Sequence, residues 1–307
     1  MTLPLVSIAI PAYKHAMFIE ACLASVCAQT YPELELVLID DGSPDDTLEV
    51  ARRFLEKRHD RFRRIVLERR ENRGVSVNSN ACIEACLGEW VHLLGSDDVL
   101  YPGKVARIQN AIADWSLADL ALVHADADFI DQHGQPVARV DQLPRPQPGP
   151  DHDASQWLFM GRHSIINPTI ALHRKTFLAI GGFDKNLALE DMDCWLRLSV
   201  GHAIARLPEV LASYRKHPGN TLRRRVKMLG AQFFTFAKFI EANPRLISEE
   251  DICKQFRKNV WRFWRRMRKL KPWLYPMVVA TMIRSRFVAP QAADYRRFGV
   301  ILDKAAV

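Results

Sequence analysis

The chain is predicted to adopt an open α/β fold on a mainly parallel sheet, followed by a helical C-terminal extension. Short apolar, β-branched runs alternate with helix-period stretches from Leu5 to about Ser116, the pattern of parallel strands joined by crossover helices. Several of those runs end in polar, turn-forming residues, and the carboxyl edge of such a sheet is where ligands bind. From Arg223 onward the pattern is almost wholly helical.

In chain order, strands are expected at Val6–Ile10, Leu34–Ile39, Arg64–Leu67 and Trp90–Leu94. Between them Phe18, Ile19, Cys22, Leu23 and Val26 recur at helical spacing, as do Thr47, Val50, Ala51, Phe54 and Leu55. Ser43-Pro44-Asp45-Asp46 supplies capping and first-turn residues for the second of these helices. A further strand is expected at Leu120–His124. The stretch from Leu143 to Pro150 then places four prolines where neither a helix nor a central strand can continue, so an exposed connector or a lid is expected. A strand at Thr169–His173, a helix at Lys175–Ile180 stopped by Gly181-Gly182, and a helix at Glu190–Ser199 follow. The organisation expected is a nucleotide-binding half over 1–115, a second half of the same domain over 116–222, and a helical extension over 223–307.

At 307 residues, 48% hydrophobic and 25% charged, the chain can bury a full core. Its six cysteines show no paired CxxC spacing, which excludes a zinc ribbon and a disulfide framework and points to a reducing compartment. Met1 runs directly into the first apolar strand without a basic leader, so a cytoplasmic location is expected, on its own or peripheral to the inner face of the cytoplasmic membrane. The net charge of +8 is concentrated: between Leu222 and Arg286 seventeen Lys and Arg face four Asp and Glu, a local balance of +13 that leaves −5 for the rest. A basic tail on a mildly acidic body is an interaction surface. The apolar run Pro272–Ile283 is too short to cross a bilayer core of about 30 Å as a helix.

The strand ends carry the chemistry. Asp97-Asp98 closes the run Trp90–Leu94, and two adjacent carboxylates there are costly unless neutralised, as a divalent cation carrying a diphosphate would do. Asp40-Asp41-Gly42-Ser43 follows the second strand, where an acid can accept a hydrogen bond from a base N–H or a ribose hydroxyl; an ordinary turn with a helix cap uses the same residues. Pro11-Ala12-Tyr13 sets an aromatic ring at the end of the first strand. Asn72-Arg73-Gly74 adds a turn whose Gly lets backbone approach a ligand.

Val6–Tyr13, Ala28–Glu35, Asp40–Ser43, Asn72–Ser76, Gly88-Glu89-Trp90, Asp97-Asp98 and Gly181–Asp184 through Glu190-Asp191 together resemble a family 2 glycosyltransferase of the GT-A fold, in order from Val6 to about Thr221. The resemblance implies an inverting, metal-dependent transfer from a nucleoside diphosphate-sugar, a UDP-sugar first, to a hydroxyl of a glycan or lipid-linked acceptor in bacterial surface polysaccharide synthesis. By position it implies Asp41 on the base, Tyr13 stacked on or bordering it with Pro11 alongside, Asn72 and Gly74 at the donor, Asp97 on the sugar or ribose, and Asp98 on Mn2+ or Mg2+. Asp191 resembles the base that takes the acceptor hydroxyl's proton, with Asp193 as a structural acid. His217, in Tyr214-Arg215-Lys216-His217-Pro218-Gly219-Asn220, completes the metal shell or meets the pyrophosphate, unless it is a plain turn residue, and Arg215 offsets phosphate charge. Ser96-Asp97-Asp98 has one carboxylate fewer than the commoner acidic triplet, Ser79 precedes Asn80 where relatives carry Arg, and Cys82 replaces a usual Gly.

The alternatives are an inactive nucleotide-sugar-binding or scaffold protein of a polysaccharide assembly, and a nucleotidyltransferase. The latter needs a Gly-rich basic triphosphate loop that Pro11-Ala12-Tyr13-Lys14-His15 does not provide. In the tail, Phe256, Val260, Phe263, Trp264 and Met267 share one helical face flanked by cations, which suits either an anionic membrane surface through residues 254–286 or packing on the protein itself. No nucleic-acid partner is expected, because no groove-reading motif accompanies the basicity.

Overall fold

The structure is a computed structural model that describes residues 3–137, 146–161, 165–219, 225–267 and 275–305. Two compact units divide the chain. One comprises residues 1–154, 162–185 and 198–218 and holds every described strand; the other comprises residues 155–161, 186–197 and 219–307 and is helical.

In the first unit β1 (Val6–Ala12), β2 (Leu34–Asp40), β3 (Arg64–Arg69) and β4 (Trp90–Leu93) form a parallel block in the order β3-β2-β1-β4, connected through α1 (Ile19–Cys27), α2 (Thr47–Glu56) and α3 (Val75–Ala85). Val6, Ile8, Ile10 and Ala12 of β1 pack with Leu34, Leu36 and Leu38 of β2, with Ile19, Cys22, Leu23 and Val26 of α1, and with Leu48, Ala51, Phe54 and Leu55 of α2. A strand period of 2 meets a helix period of 3.6 on this face. Ser7 and Glu35 alternate to the opposite face. There the buried Glu35 carboxylate accepts bonds from Ser7 Oγ, the Leu87 N–H at 2.7 Å and the Arg64 guanidinium, which satisfies a charge that would otherwise be costly.

The sheet continues through β5 (Val99–Leu100), α4 (Lys104–Trp115), β6 (Leu120–Ile130), β7 (Gly149–Asp151), α5 (Ala154–Phe159), β8 (Ala171–His173), α6 (Arg174–Ala179), α7 (Glu190–Leu198) and β9 (Ala203–Arg215), of which α5 from Ser155 onward and α7 up to Arg197 belong to the helical unit. From β4 the order is β8-β6-β9-β5, with β8 antiparallel to both neighbours, β6 parallel to β9, and β5 and β7 antiparallel to β9. The strand expected at Leu120–His124 runs on to Ile130, and β9 has no counterpart among the expected strands. Two reasons are visible. Register shifts between Ala125 and Ala127 break the alternation, and the buried pair Asp126–Arg206, at 2.8 Å, puts charges where a core strand is expected to be apolar. The strand expected from Thr169 begins at Ala171, after a single 3-10 turn over Asn167–Thr169 that contains Pro168. Of the proline-rich stretch, residues 143–145 lie outside the described residues, while Gly149–Asp151 form β7, a position where Pro150 needs no ladder N–H.

The helical unit contains α7, α8 (Arg225–Ala242), α9 (Glu249–Met267), α10 (Tyr275–Phe287) and α11 (Ala292–Ala305). Its core is aromatic: Phe233 and Phe256 of α8 and α9 meet Tyr295 and Phe298 of α11 at ring separations of 4.8–5.9 Å. The apolar face expected on the basic helix therefore packs Phe256 into this core, and Val260 on the same face is buried. Lys254, Lys258, Trp261, Arg262 and Arg265 of the same helix are exposed. The side chains of Phe263 and Met267 and residues 268–271 lie outside the described residues. No helix among the described residues is long and apolar enough to cross a membrane.

Candidate active site

Parallel pairing in register, Ala12 with Asp40 and Ala9 with Leu93, brings the carboxyl ends of β1, β2 and β4 to one edge of the first unit. Most of the expected donor-site residues sit on this edge.

At the end of β2 the Asp41 carboxylate is nearly enclosed. Its Oδ1 accepts the Arg73 N–H and its Oδ2 the Gly74 N–H, both at 2.9 Å, while the Asn72 amide donates to the Asp41 carbonyl at 2.9 Å. Gly74 has φ +89°, a conformation that strains other residues, and it is this turn that aims the two N–H groups. Each carboxylate oxygen keeps a lone pair for a further donor. The sequence-expected Asp41, Asn72 and Gly74 are thus brought into one hydrogen-bonded group. Asp40 is held differently: it is buried and takes the Ser43 N–H and hydroxyl. Tyr13 is 39% exposed beside Lys14, whose Nζ lies 5.0 Å from the ring centroid, and Pro11 is half-buried at the end of β1.

At the end of β4 the turn Gly95-Ser96-Asp97-Asp98 folds both carboxylates back on itself. A Cβ at Gly95 would lie 2.9 Å from both Asp97 Oδ1 and Asp98 Oδ2, so any side chain there would displace the two carboxylates. The two acids then part. Asp97 Oδ2 meets His217 Nε2 at 3.0 Å, and Asp97 Oδ1 lies 3.8 Å from His15 Nδ1. One ligand atom each from His15, Asp97 and His217 falls within 4.8 Å of the other two. Asp98 is enclosed behind them, its Oδ1 accepting the Arg215 backbone N–H at 2.8 Å. Burial raises the Asp97 carboxyl, but its bond to His217 and the nearby His15 outweigh this and leave it below the usual carboxylate range. Burial, and then the charge of Asp97, push Asp98 well above that range.

Arg215 is buried, and its guanidinium donates from Nε to the Asp97 carbonyl at 2.7 Å and from NH1 to the Asp131 carbonyl at 3.0 Å. It fixes the acidic turn from behind and lies 5.0 Å above the Phe18 ring. Phe18 in turn packs on His217 at 4.9 Å and on His15 at 5.8 Å. The His15 ring accepts or donates a 2.7 Å bond to Ser96 Oγ through Nδ1. Burial holds its pKa below the ordinary histidine value. Sequence reasoning did not single out His15 as a site residue. A histidine two residues beyond Tyr13 was the only signal, and its partner lies 82 positions away.

Donors of two imidazoles and a carboxylate suit a first-row divalent cation, and imidazole favours Mn2+ over Mg2+. The residues present therefore fit such an ion.

In the helical unit Asp191 stands in the first turn of α7, half-buried, with Oδ1 accepting the Met192 N–H at 2.6 Å. Burial raises its carboxyl above the ordinary value, and burial together with Asp191 pushes the neighbouring Glu190 up to about 7. Asp193, two residues on, is buried and paired with Arg197 at 2.7 Å and with Lys238 of α8 at 2.9 Å. The two acids of one helix thus have different surroundings: one is ion-paired, the other has raised basicity.

Residues 7–177 match the family described as Glycosyl transferase family 2. An uncharacterised glycosyltransferase of Rickettsia prowazekii is 30% identical over 230 residues, which cover 74% of this chain and 68% of the relative. Among solved structures, the mannosyltransferase PcManGT from Pyrobaculum calidifontis, in complex with GDP-Man and Mn2+, superimposes with a TM-score of 0.63 at 19% identity over 100% of this chain and 87% of its own. TarS 1–349 of S. aureus in complex with UDP does so with a TM-score of 0.64 at 16% identity over 98% of this chain and 90% of its own. The α/β sheet with its flanking helices is the GT-A fold. The chain belongs to glycosyl transferase family 2 and is a glycosyltransferase.

Proposed function

We propose that the chain moves a sugar, with inversion, from a nucleoside diphosphate-sugar to a hydroxyl of a glycan or glycolipid acceptor in surface polysaccharide synthesis, using a divalent cation. The observation that carries this reading is the His15–Asp97–His217 cluster on the same sheet edge as the Asp41 carboxylate. Asp41 takes a donor hydrogen bond from the base, Tyr13 borders the base, and Asn72 and Gly74 hold the Asp41 loop. Asp97 and His217 hold the cation, in place of the Asp98 ligand and the Asp97 sugar contact expected from the sequence, because Asp97 faces the histidines while the buried Asp98 carboxyl is turned to the Arg215 N–H. A Mn2+ or Mg2+ held by Asp97 and His217 would supply positive charge to offset the negative charge developing on the nucleoside diphosphate leaving group. Asp191 takes the proton of the acceptor hydroxyl, and its raised carboxyl makes it a stronger base than an exposed aspartate. PcManGT was solved with GDP-Man and Mn2+ and TarS with UDP, so UDP- and GDP-sugars are the donors to try, UDP first.

The test is a panel of nucleotide sugars with Mn2+, following release of nucleoside diphosphate with an acceptor extract present. Asp191→Asn is expected to lose transfer by at least about a thousandfold while donor affinity stays within about threefold. A fully active Asp191→Asn enzyme refutes the base assignment. Absence of donor binding across the panel refutes the donor assignment.

The exposed Lys254, Lys258, Arg262 and Arg265, with the Trp261 indole among them, present α9 to an anionic bilayer as a peripheral contact. A lipid-linked acceptor would make that contact useful.

A further inference from the structure

We propose that His15 is a third protein ligand of the cation, so that the centre has two imidazoles and one carboxylate and prefers Mn2+ to Mg2+; this rests on the reading of Asp97 and His217 as the other ligands. Four observations carry it. One ligand atom of His15 shares the 4.8 Å cluster with Asp97 and His217. Lys14, immediately before it, has φ +57°, a left-handed conformation uncommon outside Gly that is retained where surrounding structure demands it. That backbone is tied from the β2–α2 loop and the first residue of α2, because the Lys14 N–H donates to Ser43 Oγ and the His15 N–H to Thr47 Oγ1, both at 2.9 Å. The ring itself is oriented by Ser96 Oγ at 2.7 Å, on the turn that carries Asp97, and packs at 5.5 Å edge-on to the His217 ring. Ser96 Oγ bonds Nδ1, the nitrogen that also lies 3.8 Å from Asp97 Oδ1, so the ring is anchored on the acidic turn.

Because imidazole nitrogen binds Mn2+ better than Mg2+ while a carboxylate accepts either, the second histidine sets selectivity more than affinity for divalent ions in general. A chain lacking His15 would keep Asp97 and His217 and bind both ions through them.

The experiment uses the full chain and the metal alone. Mn2+ titration followed by loss of the free-ion EPR signal, and Mg2+ competition against it, are compared for the parent, His15→Ala, His15→Asn and Asp97→Asn. His15→Ala and His15→Asn are expected to weaken Mn2+ at least about tenfold and Mg2+ less than about threefold, so the Mn2+/Mg2+ preference falls. Pulsed EPR of bound Mn2+ is expected to show two imidazole nitrogens in the parent and one in each His15 variant. A single nitrogen in the parent, or unchanged Mn2+ affinity in both His15 variants while Asp97→Asn loses it, overturns the His15 assignment and leaves Asp97 and His217 standing. Unchanged Mn2+ affinity in Asp97→Asn overturns the underlying cation reading. Thermal unfolding of each variant separates loss of ligand from loss of fold.

Discussion

Lys104 opens α4 with its side chain fully buried, and its Nζ donates to the Ile170 carbonyl at 3.1 Å. Burial lowers its pKa from an ordinary 10.5 to about 7, which corresponds to a cost of the order of 5 kcal/mol for the charged form. The unfolded chain binds more protons than the fold between about pH 7 and 10.5, so stability rises with pH across that window; below about 7 the burial cost is felt in full. Lys104→Met keeps the length of the side chain and removes the ammonium, but leaves the Ile170 carbonyl unpaired at about 1–3 kcal/mol. The variant is therefore expected to be more stable than the parent by about 2–4 kcal/mol near pH 6, with the advantage falling toward zero by about pH 9 and reversing above it. Urea unfolding followed by far-UV circular dichroism at several pH values measures this directly. A difference that is the same at about pH 6 and pH 9, or a variant that is already the weaker one at pH 6, would refute the reasoning.

Three further outcomes follow from the site and the tail. Asp193→Asn removes the acid shared by Arg197 and Lys238 and should cost about 1–2 kcal/mol, discounted because Lys238 is 37% exposed, with transfer rate per folded molecule changed less than about threefold; activity loss like that of Asp191→Asn would mean the two acids have been assigned the wrong way round. Arg215→Lys keeps the charge but not the fork to the Asp97 and Asp131 carbonyls, and should lower stability by about 2 kcal/mol and weaken Mn2+ binding, read by denaturation and by metal titration; unchanged Mn2+ affinity would separate Arg215 from the acidic turn. Co-sedimentation with anionic vesicles, lost on neutral vesicles and at high salt, is expected if α9 docks through its cations, and equal recovery in the supernatant of both would remove that contact.

The parallel block of the fold was legible because β1, β2 and β4 are buried on both faces and its helices carry their own period. Val6–Ile10 and Leu34–Ile39 are apolar but for Ser7 and Glu35, and Ile19, Cys22, Leu23 and Val26 repeat at helical spacing, so each element shows in its own residues. The mixed half was less legible. Arg206 and Asp126 neutralise each other across two strands, and neither residue taken alone signals a buried position. The basic tail had two open interpretations in the sequence, and only the packing of Phe256 against α8 and α11 and the burial of Val260 showed that its apolar face is occupied within the chain.

The sequence by itself determined that acids and turns stand at the strand ends, because residue type and strand position are local properties. Which acid of an adjacent pair faces the cluster is not local. Asp97 and Asp98 are chemically alike, and their separation is decided by Arg215, whose backbone N–H claims Asp98 while His217 meets Asp97 from more than a hundred positions away. The placing of His15 beside them likewise needed the tertiary structure, since it depends on a left-handed Lys14 and on hydroxyls contributed by three separate loops and helices.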